Sequence, residues 1–443
     1  MGKKIIALLL TLCMLTGLAA CRRTPSAGTT PDLQITTGTQ AATMATTVPT
    51  TEAETQPKTE ATTDPTEPKL EEVDFSTLWT PICESFINLR QSPNGSIIGS
   101  VPVGTELTLL KWEEKYALIS YDGKQGYVGA NYIQPTDEQY FAKRLRVVTP
   151  TNKYPYEQMI ADIASLQAAY PNLVQVNTIG KSEAGLDIPV MIVGNPDAPN
   201  HVLMQGAMHA REHFTAWLLM AIADNSLAMG YLADQSVCYH IIPMSNPDGV
   251  ILSQTQTLNS IQEGIYKRDL AYGYTTAGKA AYAEQWKANG LGVDLNRNFP
   301  SGWEISKEHP EASSSHYRGE SPLCAAEAKA LADYTCSRTF AATFSFHSSG
   351  SVLYYRYGNK QPVNDLSYQL ALAVETITGY TPLGGYDGTS GAGYKDWAMD
   401  ALGIPSLTVE IGSYTTPLEQ RDIYNTFARF ENFFPTLSRW LAQ

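Results

Sequence analysis

The chain has 443 residues, 43% hydrophobic and 10% aromatic, enough to bury at least one large core and to form two or three domains. That composition excludes a fibrous or wholly disordered protein. Its 31 Lys and Arg against 44 Asp and Glu leave a formal charge of -13, which excludes a general affinity for nucleic acid because binding to phosphates needs a surplus of positive side chains.

Lys3 and Lys4 make a short positive start, and residues 5–18 form an almost unbroken apolar run, too short for a comfortable membrane span and typical of an export signal. The run ends in Leu18-Ala19-Ala20-Cys21, which resembles the cleavage box of bacterial lipoproteins. The resemblance implies a signal peptide over residues 1–20 and a diacylglyceryl group on Cys21. The mature protein would then be lipid-anchored at the extracellular face of the cytoplasmic membrane, held stably if Cys21 carries more than one acyl chain. Residues 21–73 are dominated by Thr, Pro, Ala and Glu without apolar periodicity, and are expected to be a disordered linker.

Residues 74–136 change to short alternating runs separated by Gly and Pro turns, the pattern of a small all-β barrel. The order and spacing of Ile87-Asn88-Leu89-Arg90, Val103-Gly104-Thr105 and Gly126-Tyr127-Val128 resemble bacterial Src-homology-3-type domains. That likeness implies binding to cell-wall peptides, although a barrel of this fold can also serve only as a spacer.

Over residues 146–443 strands and helices alternate, as in an α/β sandwich. Met159, Ile163, Leu166 and Tyr170 line one face of an opening helix that Pro171 ends. Apolar runs at 202–205, around Ile241-Ile242, at 340–346 and at 407–411 read as buried strands. With Cys13 in the signal and Cys21 assigned to lipid, four cysteines remain and none form a Cys-x-x-Cys pair, which argues against a zinc–thiolate site or a dense disulfide framework.

His209-Ala210-Arg211-Glu212-His213 lies between a strand-like run and the helical stretch 214–223. At such a junction positions i and i+3 can turn toward one point, where an imidazole and a carboxylate suit zinc. The same five residues also fit His-x-x-Glu-His, the inverted zincin pattern, in which both histidines bind metal and the Glu is the base. That pattern must lie within a helix, whereas Gly206 and the preceding β-like run place His209 before the helix. His209 and Glu212 are therefore the expected ligands, with His213 left either to support them from behind or to structure alone.

The rest of the chain carries Asn246-Pro247-Asp248-Gly249, then Gly292-Val293-Asp294-Leu295-Asn296-Arg297-Asn298-Phe299, then Ser345-Phe346-His347-Ser348, then Thr408-Val409-Glu410. In this order the segments resemble the zinc carboxypeptidases. The resemblance implies a mixed, twisted sheet of about eight strands flanked by helices, with the site at its carboxyl-end rim. It implies one Zn2+ held by His209, Glu212 and His347 with one position open, and Glu410 as general base. Asn296 and Arg297 match the pair that holds a terminal carboxylate, Arg211 a substrate-facing arginine, and Tyr386 a mobile tyrosine over the substrate.

The sequence departs from the carboxypeptidase A-like pattern at Trp286-Lys287-Ala288-Asn289, where relatives carry an arginine that stabilises the oxyanion. Lys287 supplies charge without the planar fork, and Arg268 is a second candidate. Lys395, beside Asp396, occupies the position that lines the specificity pocket in relatives, and is expected to pair with a second carboxylate on the substrate. Barrel, anchor, Lys287 and Lys395 together resemble bacterial γ-D-glutamyl-diaminopimelate peptidases, implying a muropeptide substrate from peptidoglycan. A general protein or peptide carboxypeptidase is the first alternative. A non-enzymatic wall-binding lipoprotein is the second, and the complete set His209, Glu212, His347 and Glu410 speaks against it.

Overall fold

The computed structural model describes residues 78–442, apart from short segments at 82–85, 103–104, 114, 136–138, 234–235, 308, 385–390, 413–414 and 420–421. The expected signal, Cys21, the linker and Tyr386 lie outside the described residues. Among the described residues no helix is long and apolar enough to cross a membrane.

The first seven strands are β1 (Leu78–Pro81), β2 (Phe86–Arg90), β3 (Ile97–Pro102), β4 (Leu107–Glu113), β5 (Tyr116–Tyr121), β6 (Lys124–Gly129) and β7 (Ile133–Pro135). They form one antiparallel sheet in the order β3-β2-β6-β5-β4-β1-β7. The strands bury alternate residues: Ile87 and Leu89 point inward while Phe86 and Asn88 face solvent. Their inner faces meet around Trp79, Leu89, Val101, Leu109, Ile119 and Val128, giving the barrel its own core.

A second sheet of eight strands follows, built from β8 (Val174–Lys181), β9 (Asp187–Gly194), β10 (Asn200–Gln205), β11 (Val237–Ile242), β12 (Ala342–Ser348), β13 (Val352–Tyr354), β14 (Thr381–Leu383) and β15 (Ser406–Ile411). Its order is β14-β13-β15-β12-β10-β11-β9-β8. The central strands β11, β10, β12 and β15 run parallel, β8 and β9 are antiparallel to their neighbours, and β13 is antiparallel to β15 but parallel to β14, so the sheet is mixed. Continuous burial along β11 and β12 accounts for their apolar runs, since helices cover both faces.

Eleven helices are described: α1 (Gln139–Arg144), α2 (Tyr156–Ala169), α3 (Phe214–Ala228), α4 (Pro247–Thr255), α5 (Ser260–Ala271), α6 (Lys279–Glu284), α7 (Ala326–Cys336), α8 (Val363–Thr378), α9 (Tyr394–Leu402), α10 (Asp422–Phe430) and α11 (Phe433–Leu441). The opening helix α2 buries Met159, Ile163 and Leu166 as its spacing requires. Helix α10 meets the barrel. Its Ala428 packs against the barrel core, and the guanidinium of buried Arg429 lies 4.9 Å from the Trp112 ring and 5.9 Å from the Tyr380 ring. Arg429 also donates to Thr378 O at 2.7 Å, and the Tyr380 hydroxyl accepts from the Gly412 N–H at 3.1 Å, just past the end of β15.

Candidate active site

The site gathers where the parallel strands end. After β10 the chain turns at Gly206, where a Cβ would stand 2.9 Å from Pro243 O and 3.0 Å from Thr215 Oγ1, so a larger residue would push the turn open. Thr215 Oγ1 then fastens the loop, accepting from Ala207 N–H and donating to Glu212 O, each at 2.7 Å. His209 is extended, residues 210–212 make one 3-10 turn, and α3 starts only at Phe214. His209 therefore stands before the helix, as the inverted zincin pattern does not allow.

His347 comes from the end of β12 and Glu410 from the end of β15. His209 Nδ1 lies 2.8 Å from Glu212 Oε1, and His347 Nδ1 lies 2.9 Å from Glu212 Oε2 and 3.1 Å from His209 Nδ1. All three side chains are buried. Protons or a cation must lie among three lone-pair donors this close, and around tetrahedral zinc the ligand atoms sit about 3.3 Å apart. Two imidazoles and a carboxylate are a borderline donor set, so these residues fit a zinc ion. His213 is not in this group. It is buried beside Asn152 and Lys153, and burial, then the Lys153 charge, push it down to about 4.

The electrostatics of the carboxylates differ. Burial raises Glu212, but the charge of His209 and the hydrogen bonds from both histidines outweigh it and hold the carboxyl well below its usual range. Burial pushes Glu410 up to about 7; Glu212 adds to the rise, while His347, Lys287 and Arg211 oppose it. A divalent cation held by the three ligands would draw Glu410 down again.

Two residues of this centre were present in the sequence motifs but carried no role there. Asp294 is fully buried with its Oδ1 3.3 Å from His209 Nε2, where it orients the ring; burial raises its carboxyl, yet His209, Lys287 and Arg297 together hold it well below normal. Asn246 braces the loops: its Nδ2 donates to Met208 O at 3.1 Å and Ala288 O at 3.0 Å, and its Oδ1 accepts from Gly249 N–H at 3.0 Å. The signal that could have found them is the same in both: a polar residue inside a motif whose neighbours are all buried, and which therefore needs partners.

The brace extends to Lys287. Ala210 N–H donates to Lys287 O and Arg211 N–H to Trp286 O, both at 3.0 Å, so the ligand loop and the segment 286–288 are stapled together. Lys287 and Arg211 both bear on Glu410. Arg211 Nη1 also donates to Gln285 Oε1 at 2.9 Å. The guanidinium of Arg268 is engaged elsewhere, with Asp269 at 2.9 Å, Glu311 at 3.4 Å and Ala312 O.

Asn296 Oδ1 accepts from Tyr394 N–H at 3.1 Å, and Arg297 Nη1 donates to Asn296 O at 3.1 Å. The charge of Arg297 reaches both Asp294 and Asp396. Lys395, expected to pair with a second carboxylate on the substrate, already has partners within the protein. It is buried, donating to Arg356 O at 2.8 Å and to Asp396 Oδ1 at 2.5 Å, because α9 brings the adjacent carboxylate of Asp396 back onto it.

A mixed eight-stranded sheet with a His-Glu-His donor set at its carboxyl rim, and a further carboxylate beside it, defines a mononuclear metallohydrolase. The chain belongs to the zinc carboxypeptidase family, whose pattern matches residues 159–434, and residues 85–134 match the bacterial SH3 domain. It is thus a hydrolytic enzyme of a family that uses one catalytic zinc. It is 34% identical over 289 residues to gamma-D-glutamyl-L-diamino acid endopeptidase 1 of Lysinibacillus sphaericus, spanning 62% of this chain and 69% of that protein. It is 25% identical over 256 residues to mast cell carboxypeptidase A of Rattus norvegicus, spanning 53% of this chain and 57% of that one. The carboxypeptidase A structure from Helicoverpa armigera superposes with a TM-score of 0.52 at 18% identity, covering 83% of this chain and 97% of that chain, which establishes the fold.

Proposed function

We propose that this protein hydrolyses the amide bond beside a diamino acid in peptidoglycan stem peptides, of the γ-D-glutamyl-diaminopimelate type, near a free terminal carboxylate. The observation that carries the reading is the concentration of cations at the site: Lys287 and Arg211 act on the same carboxylate, and Arg297 stands close by. A γ-linked glutamyl residue keeps its own carboxylate next to the scissile bond, and the diamino acid adds another. A site with several cations suits such a substrate better than a neutral peptide. The name of the Lysinibacillus relative supports the same bond type.

A zinc ion held by His209, Glu212 and His347 would supply Lewis acidity here, making water acidic enough for a carboxylate to deprotonate. Glu410 removes a proton from the attacking water and hands it to the leaving amine. Lys287 offers its ammonium to the charge that develops on the carbonyl oxygen, in a place where low dielectric strengthens it. Arg297 and Asn296 hold the terminal carboxylate, and Tyr386 keeps the substrate-covering role that the family resemblance assigns it. Asp294 fixes the His209 ring, and through it the direction of the donor nitrogen.

The barrel is assigned to binding wall peptides, and Cys21 to a lipid anchor at the outer face of the cytoplasmic membrane; the first rests on the SH3 match and the second on sequence alone. The test of substrate is digestion of defined stem peptides and of unmodified peptides by the zinc-loaded full chain, with mass analysis of products. Faster cleavage of the muropeptides at the diamino acid supports the reading. Equal or faster cleavage of unmodified peptides at their last residue establishes the general carboxypeptidase instead.

A further inference from the structure

Three side chains that favour borderline or soft metals meet at the other end of the same sheet. His201 is the second residue of β10, and in the parallel register its partner on β11 is Cys238, two residues before His240. Positions i and i+2 face the same side of a strand, so Cys238 and His240 project together toward His201. Sulfur and one ring nitrogen from each histidine lie within 4.8 Å of one another. Cys238 and His240 are fully buried, while His201 is half-buried and gives the cluster a margin on solvent.

His201 Nδ1 and His240 Nε2 are 2.8 Å apart, with a single proton between them. Each ring also has a partner behind it. His240 Nδ1 lies 2.7 Å from the Tyr334 hydroxyl, and His201 is hydrogen-bonded to the Ala198 backbone. Outer partners of this kind fix the ring orientation and tautomer of metal-binding histidines. Phe340 meets the His240 ring edge-on with centroids 5.2 Å apart, limiting its rotation.

We propose that His201, Cys238 and His240 form a second metal site, separate from the catalytic centre, for zinc or another borderline-to-soft cation. Two nitrogens and a thiolate around tetrahedral zinc sit about 3.3–3.6 Å apart, so the present spacing reaches that geometry with small side-chain shifts. As the metal–sulfur bond forms, the Cys238 thiol releases its proton to solvent. The imidazole that donates the shared hydrogen bond moves that proton to its outer nitrogen, where Tyr334 or the Ala198 backbone accepts it. Burial pushes the Cys238 thiol up to about 12 and both imidazoles down; Arg338 repels a cation here, opposes the rise at Cys238 and adds to the fall of the imidazoles, so it is the metal that must draw the proton from the thiol. The absence of a Cys-x-x-Cys pair does not bear on this site, because its ligands come from adjacent strands rather than from one loop.

The cluster and the ligand loop are separated by the length of β10, roughly 15–20 Å at 3.3 Å per residue, so the two sites can be read independently. Full-length apoprotein is titrated with Co2+ alone while its near-ultraviolet spectrum is followed. Two equivalents are expected to bind, one of them with a thiolate-to-cobalt charge-transfer band that a His-Glu-His centre cannot produce. Cys238→Ser is expected to lose that band and one equivalent and to keep its peptidase activity. His347→Ala and Cys324→Ser are expected to keep the band. Should Cys238→Ser fail to fold, His201→Gln, at the solvent margin, is expected to lose the same equivalent. Binding of one equivalent without a sulfur band, or a band that disappears only in Cys324→Ser, overturns the proposal.

Discussion

His347 and Glu410 are register partners on the parallel strands β12 and β15, so a metal-binding nitrogen and the proposed base stand side by side at one level of the sheet. Rigid neighbouring strands, rather than loops, set their separation.

The first prediction concerns that pair. Glu410→Gln keeps the shape of the side chain and removes the proton acceptor, so kcat is expected to fall by roughly 10²–10⁴-fold, the usual weight of general-base catalysis. Zinc content should stay at one equivalent in the catalytic centre, read by metal analysis of the purified variant. Retained kcat would remove Glu410 from the chemistry.

Lys287 and Arg268 can be separated by the same kind of measurement. Lys287→Met is expected to lower kcat by about 10²–10³-fold, with Lys287→Arg recovering part of it, as for the loss of one oxyanion donor. Arg268→Met is expected to leave kcat close to wild type and to lower the melting temperature, since its guanidinium is held by Asp269, Glu311 and Ala312 O. The opposite pattern would transfer the role to Arg268.

Lys395 reads a second substrate carboxylate only by sharing its ammonium with Asp396. Asp396→Asn should therefore strengthen the preference for an acidic or diamino terminal residue over a neutral one, and Lys395→Ala should weaken it, each by about tenfold in kcat/KM ratio, near 1.4 kcal/mol. If both variants change thermal stability but not the ratio, Lys395 serves only as the partner of Asp396.

The fourth prediction is a pH dependence of stability away from the metal. Glu327 is buried under Asn289 and Glu183, and burial pushes its carboxyl up to about 7. A carboxyl whose pKa rises on folding binds more protons folded than unfolded, so its contribution is full below about 4.5, falls as pH climbs to 7, and is constant above. The melting temperature of Glu327→Gln relative to wild type should therefore rise between pH 4.5 and 7 and level off beyond. A difference independent of pH would show that Glu327 does not carry the shift.

Much of the molecule was legible in the residues because burial and chemistry were written locally. Continuous apolar runs marked β11 and β12, alternation at Ile87 and Leu89 marked the barrel, and Gly206 with the β-like run before it separated His209 from the helix. The pairing of Lys395 with Asp396 was not legible, because the return of that carboxylate onto its own neighbour depends on how α9 packs, which residue spacing does not encode. The His201, Cys238 and His240 cluster was hidden for a similar reason. Strand order, not sequence interval, brings residue 201 beside 238.

Arg429 has a mechanical consequence. Its stack on Trp112 and contact with Tyr380, which in turn holds the Gly412 amide, form an unbroken train of neighbours from the barrel wall to the strand end two residues past Glu410. A load on the barrel therefore has in this train a continuous path to a point two residues from the proposed base.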